Sequence, residues 1–295
     1  MFKKKLLLTL LSLFLIISLL PTISFPKITN PESIKVLSFN IRYDNPNDGI
    51  NQWANRKELA TRTIQKFQVD IVGMQEVLKN QLDDCLKLME EYSYCGVARN
   101  DGKNSGEFSP IFFLKDRFEL LQDSTMWLSE TPAVIGSKSW DAALPRIVTW
   151  AKLRDKQTQN IFYFFNTHFD HRGKTARKES AELIKKIIRE VVGKYPAILT
   201  GDFNCTEDDA PYQVLTNDES ELINLKDAYY LSAKNNTGIN YTFNGWAKAN
   251  GSRRIDFIFV NPKLRVQKHS ILDIREGDVF ISDHFPVLAE IRIKD

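Results

Sequence analysis

Tyr195-Pro196-Ala197-Ile198-Leu199-Thr200-Gly201-Asp202-Phe203-Asn204 is a short apolar run that breaks into polar residues. Its first half reads as a buried strand and its second half as the turn that ends it. Asp202 and Asn204 are two positions apart, so extended backbone sends both to one side and Phe203 to the other. An acid and an amide projecting together from the end of a buried strand suit a hard cation, or a water aimed at phosphorus. The same residues also suit an ordinary turn. The other strand ends decide between the two.

Upstream, Ile147–Leu153 and Ile161–Asn166 form a predicted antiparallel pair across the charged turn 154–159, and the second strand runs straight into Thr167-His168. Lys174–Val192 is the clearest helix, with Leu183, Ile184, Ile187, Ile188, Val191 and Val192 on one stripe and Gly193 as its cap. Towards the N-terminus, Ile34–Ile41 is a strand whose end carries Asn40 and Arg42, and Arg56–Phe67 is a helix. Val69–Val77 is a buried strand ending on Glu76, and Leu78–Glu91 a second helix. Ser109–Leu114 and Phe118–Leu121 read as a hairpin around Lys115-Asp116-Arg117. Downstream, Arg254–Val260 alternates, with Asp256 on the face opposite Ile255 and Phe257, and Ser282-Asp283-His284 feeds a last strand. Helices interleaved with hairpins predict an α/β (α+β) four-layer sandwich: two packed mixed or antiparallel β-sheets flanked by helices.

The ends of the chain and its charge narrow the function. Residues 1–24 place Lys3-Lys4-Lys5 before an apolar run from Leu6 to Leu20, the form of a secretory signal or, uncleaved, of an anchor. The expected location is therefore extracytoplasmic, with one domain over residues 30–295. Those 24 residues hold three lysines and no acid, so the remainder carries 37 basic and 37 acidic side chains. A neutral body argues against a non-specific duplex-DNA binder. Three cysteines are too few for a disulfide framework; Cys85 and Cys95 are the pair an oxidising compartment would join, and Cys205 reads as a buried free thiol. No obligate protein partner is evident, and a monomer is expected.

Asn40, Glu76, His168, Asp202 with Asn204, and Asp283 with His284 all sit at strand ends, and Asp256 lies within a strand, where a buried carboxylate needs a partner. Each alone has an ordinary structural explanation; six together do not, in a chain with four histidines. A phosphoester is an anion attacked by water, so its hydrolysis needs a Lewis acid, an activated water and donors that strengthen as charge builds on oxygen. Carboxylate and amide oxygens suit Mg²⁺, and an acid behind a histidine favours the imidazolium.

Phe39-Asn40-Ile41-Arg42, Gln75-Glu76, Asn166-Thr167-His168, Gly201-Asp202-Phe203-Asn204, Arg254-Ile255-Asp256-Phe257-Ile258 and Ser282-Asp283-His284 resemble, in order, the motifs of the endonuclease/exonuclease/phosphatase superfamily, the DNase I-like fold. The resemblance implies a divalent cation, Mg²⁺ or Mn²⁺, at Glu76 with Asn40 and Asp283 beside it. It implies that Asp202 positions or deprotonates the attacking water and Asn204 donates to the phosphate. His168 and His284 would flank the phosphate, with Asp256 orienting His284. Further segments, among them Trp53 with Arg56 and Trp140-Asp141, resemble a secreted bacterial branch of that superfamily. Arg42, Arg99 and Arg146 are candidates for gripping a second phosphate or a leaving group. Asp170, His171 and Trp246 are further candidates for the pocket, Trp246 with Trp53, Trp127 and Trp140 for stacking. The expected activity is metal-dependent phosphoester hydrolysis, with a phosphodiester or nucleic acid ranked first as substrate. A phosphatase or phospholipase acting on a sugar phosphate or lipid headgroup is the alternative, and a non-catalytic binding module the remote one.

Overall fold

The structure, a computed structural model, describes residues 33–217, 223–232, 235–236, 239–247 and 253–294, all within the unit Pro31–Asp295. The signal-like segment 1–24 lies outside the described residues. The strands are β1 (Ser33–Asn40), β2 (Ile71–Gln75), β3 (Tyr92–Cys95), β4 (Ile111–Leu114), β5 (Phe118–Trp127), β6 (Ile147–Asp155), β7 (Ile161–His168) and β8 (Ala197–Asp202). They continue with β9 (Lys226–Asp227), β10 (Asn235–Asn236), β11 (Asp256–Val260), β12 (Leu264–Ile271), β13 (Arg275–Glu276), β14 (Val279–Phe280) and β15 (Val287–Ile293). One mixed sheet has the order β10-β12-β15-β1-β2-β4-β3 and the other β5-β6-β7-β8-β11-β9. Helices α1 (Trp53–Lys66) and α2 (Lys79–Leu88) belong to the core of the first sheet, and α3 (Lys174–Val192) to that of the second.

Period-two alternation explains how one set of strands fills two cores. On β7, Phe162 and Phe164 join Leu153, Ile198, Ile258 and the residues of the first sheet, while Tyr163 and Phe165 point the other way. Those two meet Leu199, Phe257, Phe259 and the α3 stripe of Ile184, Ile187 and Ile188. Each such side chain, fully buried, contributes about 1.5–3 kcal/mol. All three cysteines are buried free thiols.

The apolar inter-sheet layer becomes polar towards one end, where side chains of the two sheets are hydrogen-bonded to each other. Gln75 Nε2 donates to Asn166 Oδ1 at 2.7 Å, Thr200 Oγ donates to the same oxygen at 3.1 Å, and Asn166 Nδ2 donates to the carbonyls of Met74 and Pro110. Gly73 lies against this seam: a Cβ there would stand 2.1 Å from Thr200 Oγ and 2.6 Å from Asn166 Oδ1. At the opposite end, Arg117 ties the sheets together through Asp70 (2.9 Å) and Asp155 (3.0 Å).

That ion pair corrects one expectation. Ile111–Leu114 and Phe118–Trp127 are not a hairpin: β4 pairs with β2 and β3, whereas β5 pairs with β6 in the other sheet. The Lys115–Arg117 turn carries the chain between sheets because Arg117 is buried with two acids instead of being solvated at a hairpin tip. The β6–β7 pair across residues 154–159 is antiparallel, as expected.

Candidate active site

Register places three of the polar residues side by side. β7 and β8 are parallel with His168 opposite Asp202, and β8 and β11 are antiparallel with Asp256 opposite Asp202. By alternation these three share the inner face with Phe164, Ile198 and Ile258. The first sheet supplies the facing wall: Asn40 ends β1, Glu76 follows its β2 neighbour Gln75, and Ser282-Asp283-His284 precede β15, which pairs with β1. Ser282 Oγ locks the last segment by donating to the Asn40 carbonyl at 2.7 Å while accepting from the His284 amide at 3.2 Å.

Asn40 Nδ2 bridges the sheets, donating to Glu76 Oε1 at 3.1 Å and to Asp202 Oδ2 at 2.9 Å, while its Oδ1 accepts from the Arg42 amide. Asp202 Oδ1 accepts from the Asn204 amide at 2.9 Å. Asn204 Nδ2 lies 3.1 Å from both the Phe169 carbonyl and His168 Nε2. A carbonyl only accepts, so the amide nitrogen is correctly placed, His168 Nε2 accepts the second hydrogen, and Nδ1 carries the ring proton. Both Asn204 hydrogens are thereby used within the protein, and Asn204 acts on the site through His168. His284 Nδ1 sits 2.8 Å from Asp256 Oδ2, which leaves its Nε2 facing Asp202 at 3.8 Å.

The two histidines are held in opposite charge states. Burial opposes charge on His284, but Asp256 and Asp202 more than offset it and raise its pKa well above the ordinary value. Burial, reinforced by Arg146, pushes His168 down to about 3, so it is neutral. Burial raises Asp202, with Asp256 adding to the effect, and burial likewise raises Asp283. At Glu76, burial and Glu107 work against ionisation, yet charged His284 and the Tyr43 amide hold the carboxyl below its usual range.

These groups line a cleft of about 480 Å³. Arg42, Glu76 and Asn204, all on its wall, have positive φ of 57°, 61° and 49°. Glu76 and Asp283 stand 3.9 and 3.8 Å from the Arg42 guanidinium, so this carboxylate pair already draws a cation. Hard oxygen donors on the wall of the cleft fit a divalent cation. Glu76 and Asp283 would hold it. Asn40 aligns Glu76, with its own oxygen turned to the Arg42 amide.

The remaining candidates separate. Arg42, Arg146 and His171 line the cleft. Asp170 is buried behind it, accepting from the Leu144, Arg172 and Gly173 amides and from Arg146 Nε. Arg99 does not line the cleft: its Nη1 is bonded to Glu107 at 2.6 Å. Trp246 is stacked on Arg56 at 5.7 Å outside the cleft, and Trp53, Trp127 and Trp140 do not reach it either.

Sequence reasoning missed Glu107, Arg253, Tyr43 and Phe243, which line the cleft from loops and an isolated bridge. It also missed the task of Arg56. This fully buried guanidinium donates to the carbonyls of Ile41, Arg42, Asn51 and Ile281, fastening the segments that carry Arg42 and Asp283. Its signal was an arginine in helical register with Trp53, Ala60 and Ile64 on the buried stripe of α1.

Comparison with known proteins agrees with this architecture. Residues 37–284 match the profile described as the Endonuclease/Exonuclease/phosphatase family. A crystal structure of an endonuclease/exonuclease/phosphatase from Bacteroides vulgatus is 44% identical, with a TM-score of 0.85 over 89% of this chain and 99% of that one. The mannosyl-6-phosphatase of Bacteroides thetaiotaomicron VPI-5482 is 37% identical, with a TM-score of 0.81 over 88% of this chain and 99% of that one. Among curated relatives, the uncharacterized protein L388 of Acanthamoeba polyphaga mimivirus is 26% identical over 86% of this chain and 98% of its own length.

Proposed function

The chain belongs to the endonuclease/exonuclease/phosphatase family of phosphoester hydrolases, and we propose that it is a divalent-metal-dependent phosphomonoesterase acting on a small sugar phosphate. The observation that carries this reading is the likeness to a mannosyl-6-phosphatase at 37% identity over nearly the whole of that protein. A confined cleft of about 480 Å³ supports it, being in the range of small-molecule sites. So does the balance of charge outside residues 1–24. On these grounds we rank a sugar phosphate first, where the sequence alone ranked a diester or nucleic acid first.

Glu76 and Asp283 would hold Mg²⁺, which when bound supplies Lewis-acid stabilisation of phosphoryl oxygen. Asp202 takes the proton of the attacking water. Asn40 and the Asn204 amide fix its two oxygens, and burial makes it a stronger base than an exposed carboxylate. His284 is held as imidazolium by Asp256 and offers its Nε2 proton to a phosphate oxygen. A donor so placed contributes about 3–4 kcal/mol to such a transition state. Neutral His168, its Nε2 taken by Asn204, presents Nδ1–H and adds no repulsion towards His284. Arg42 and Arg253 bring positive charge to the cleft for the anionic substrate. No Ser or Cys lines it among the described residues, consistent with direct attack by water. The basic and apolar pattern of Lys3–Leu20 supports action outside the cytoplasm.

The test is release of phosphate from hexose 6-phosphates, of p-nitrophenol from bis(p-nitrophenyl) phosphate and of nucleotides from single-stranded DNA, each with Mg²⁺ or EDTA and with Asp202→Asn as blank. Mg²⁺-dependent release from a hexose phosphate, reduced about 100-fold or more by the substitution, is expected. Cleavage confined to the diester or DNA would refute the substrate class, and activity insensitive to EDTA would refute the metal.

A further inference from the structure

Resting on the phosphomonoesterase reading, we propose that Arg146, His171 and Glu107 form the subsite that recognises the hydroxyl groups of the sugar, and that Arg146 sets specificity for it. Arg146 is buried on the cleft wall and held at two of its three nitrogens: Nε lies 3.4 Å from Asp170 Oδ2 and Nη2 lies 3.1 Å from His171 Nδ1. Asp170 is itself fixed by three backbone amides, so the guanidinium is rigidly aimed. The third nitrogen, Nη1, has no hydrogen-bond partner although it is buried. A buried donor left unpaired is costly, so its presence on a cleft wall calls for an acceptor on the ligand.

The chemistry of the neighbours says which acceptor. A guanidinium only donates, so His171 Nδ1 accepts and the ring proton resides on Nε2, a second donor. Glu107 Oε2 lies 3.9 Å from Arg146 Nη1, giving a carboxylate acceptor beside those donors. Arg99 and Arg146 are balanced by Glu107 and Asp170, and the pKa of His171 is lowered, so this wall carries no net charge. A charge-balanced wall does not favour a second phosphate. A hydroxyl both donates and accepts, which matches donors set beside an acceptor, and Leu144 next to them offers an apolar surface for ring C–H groups. Glu107 Oε2 is also 3.7 Å from His168 Nδ1, so this wall abuts the reacting phosphate. The group it touches is the one directly attached to phosphorus.

The test compares kcat/KM for a hexose 6-phosphate with kcat/KM for p-nitrophenyl phosphate, whose leaving group has no hydroxyl array. The ratio of the two cancels changes common to both substrates, including any shift at His168. Arg146→Gln is expected to lower this ratio about 10- to 100-fold, mainly through KM for the sugar. His171→Ala, at an exposed ring that tolerates truncation, should lower it about 5-fold or more. A ratio unchanged within about twofold in both variants overturns the subsite while leaving the phosphatase reading intact. Failure of the wild-type protein to act on any hexose phosphate, with aryl phosphate still cleaved, overturns both. Preference for a hexose bisphosphate over the monophosphate by about 10-fold overturns the charge-balance argument and the subsite with it.

Discussion

Gly73→Ala gives the most direct test of how the two sheets are locked together. The added methyl would fall 2.1 Å from Thr200 Oγ and 2.6 Å from Asn166 Oδ1, well inside contact distance. Neither atom is the free end of a mobile side chain. Asn166 has hydrogen bonds to Gln75, Thr200, Met74 and Pro110, and Thr200 Oγ is also within 3.2 Å of the Phe165 carbonyl. Overpacking costs about 1–3 kcal/mol, and breaking one buried hydrogen bond to make room costs about 1–3 kcal/mol more. The expected destabilisation is therefore about 2–6 kcal/mol, or roughly 4–24 °C in Tm for a domain of this size. Urea denaturation followed by tryptophan fluorescence, at fixed protein concentration, measures it. Thr200→Ala supplies the decisive control, since it removes the 2.1 Å conflict. The double variant should be at least about 1 kcal/mol more stable than additivity requires. A single-variant loss below about 1 kcal/mol, or strict additivity in the cycle, would refute the idea that glycine is required by the approach of the sheets. Because Asn40 spans Glu76 and Asp202 just beyond this seam, folded Gly73→Ala protein should also turn over more slowly.

Two other perturbations probe charge. Asp256→Asn removes the group that keeps His284 protonated, so the rate at neutral pH should fall about 10²- to 10⁴-fold, with partial recovery as pH is lowered and the imidazole regains its proton. A uniform loss at every pH would exclude this role. His269, buried on β12 with its ring against Tyr229, is pushed down to about 3 by burial and by Arg254. The unfolded chain takes up this proton below about pH 6.5 and the fold does not, so stability falls as pH drops through that window towards 3, by about 1.4 kcal/mol per unit. Denaturation at pH 6.5 and 5 should show a loss about 2 kcal/mol larger in wild type than in His269→Phe; equal losses would contradict a neutral buried ring.

The strand ends were legible because polar residues interrupt apolar runs there, and an interruption is visible in one dimension. Their pairing was not: nothing in the order of residues says that Asp202 stands opposite both His168 and Asp256, a fact of register. β12 escaped notice for a local reason. Leu264 and Val266 alternate properly, but a register shift between Val266 and Lys268 reverses the phase of the side chains that follow, so the strand never shows a continuous period of two. The wrong hairpin around Lys115–Arg117 followed from reading charge as solvation, when Arg117 was charged in order to be paired inside. Glu107 and Arg253 reach the cleft from segments with no periodicity, and only folding brings them there.

Arg42, Glu76 and Asn204 share a left-handed backbone that side chains other than glycine occupy at a cost of about 1–2 kcal/mol. Exchange for glycine would relieve that cost and return about 0.4–1 kcal/mol of it through a looser unfolded chain. The balance favours glycine slightly at three positions where glycine has none of the required chemistry. Stability and turnover therefore pull these sites in opposite directions. A breeding programme scored on melting temperature alone would drift towards a robust, inert protein, and a lineage released from its substrate would take the same path while keeping its shape.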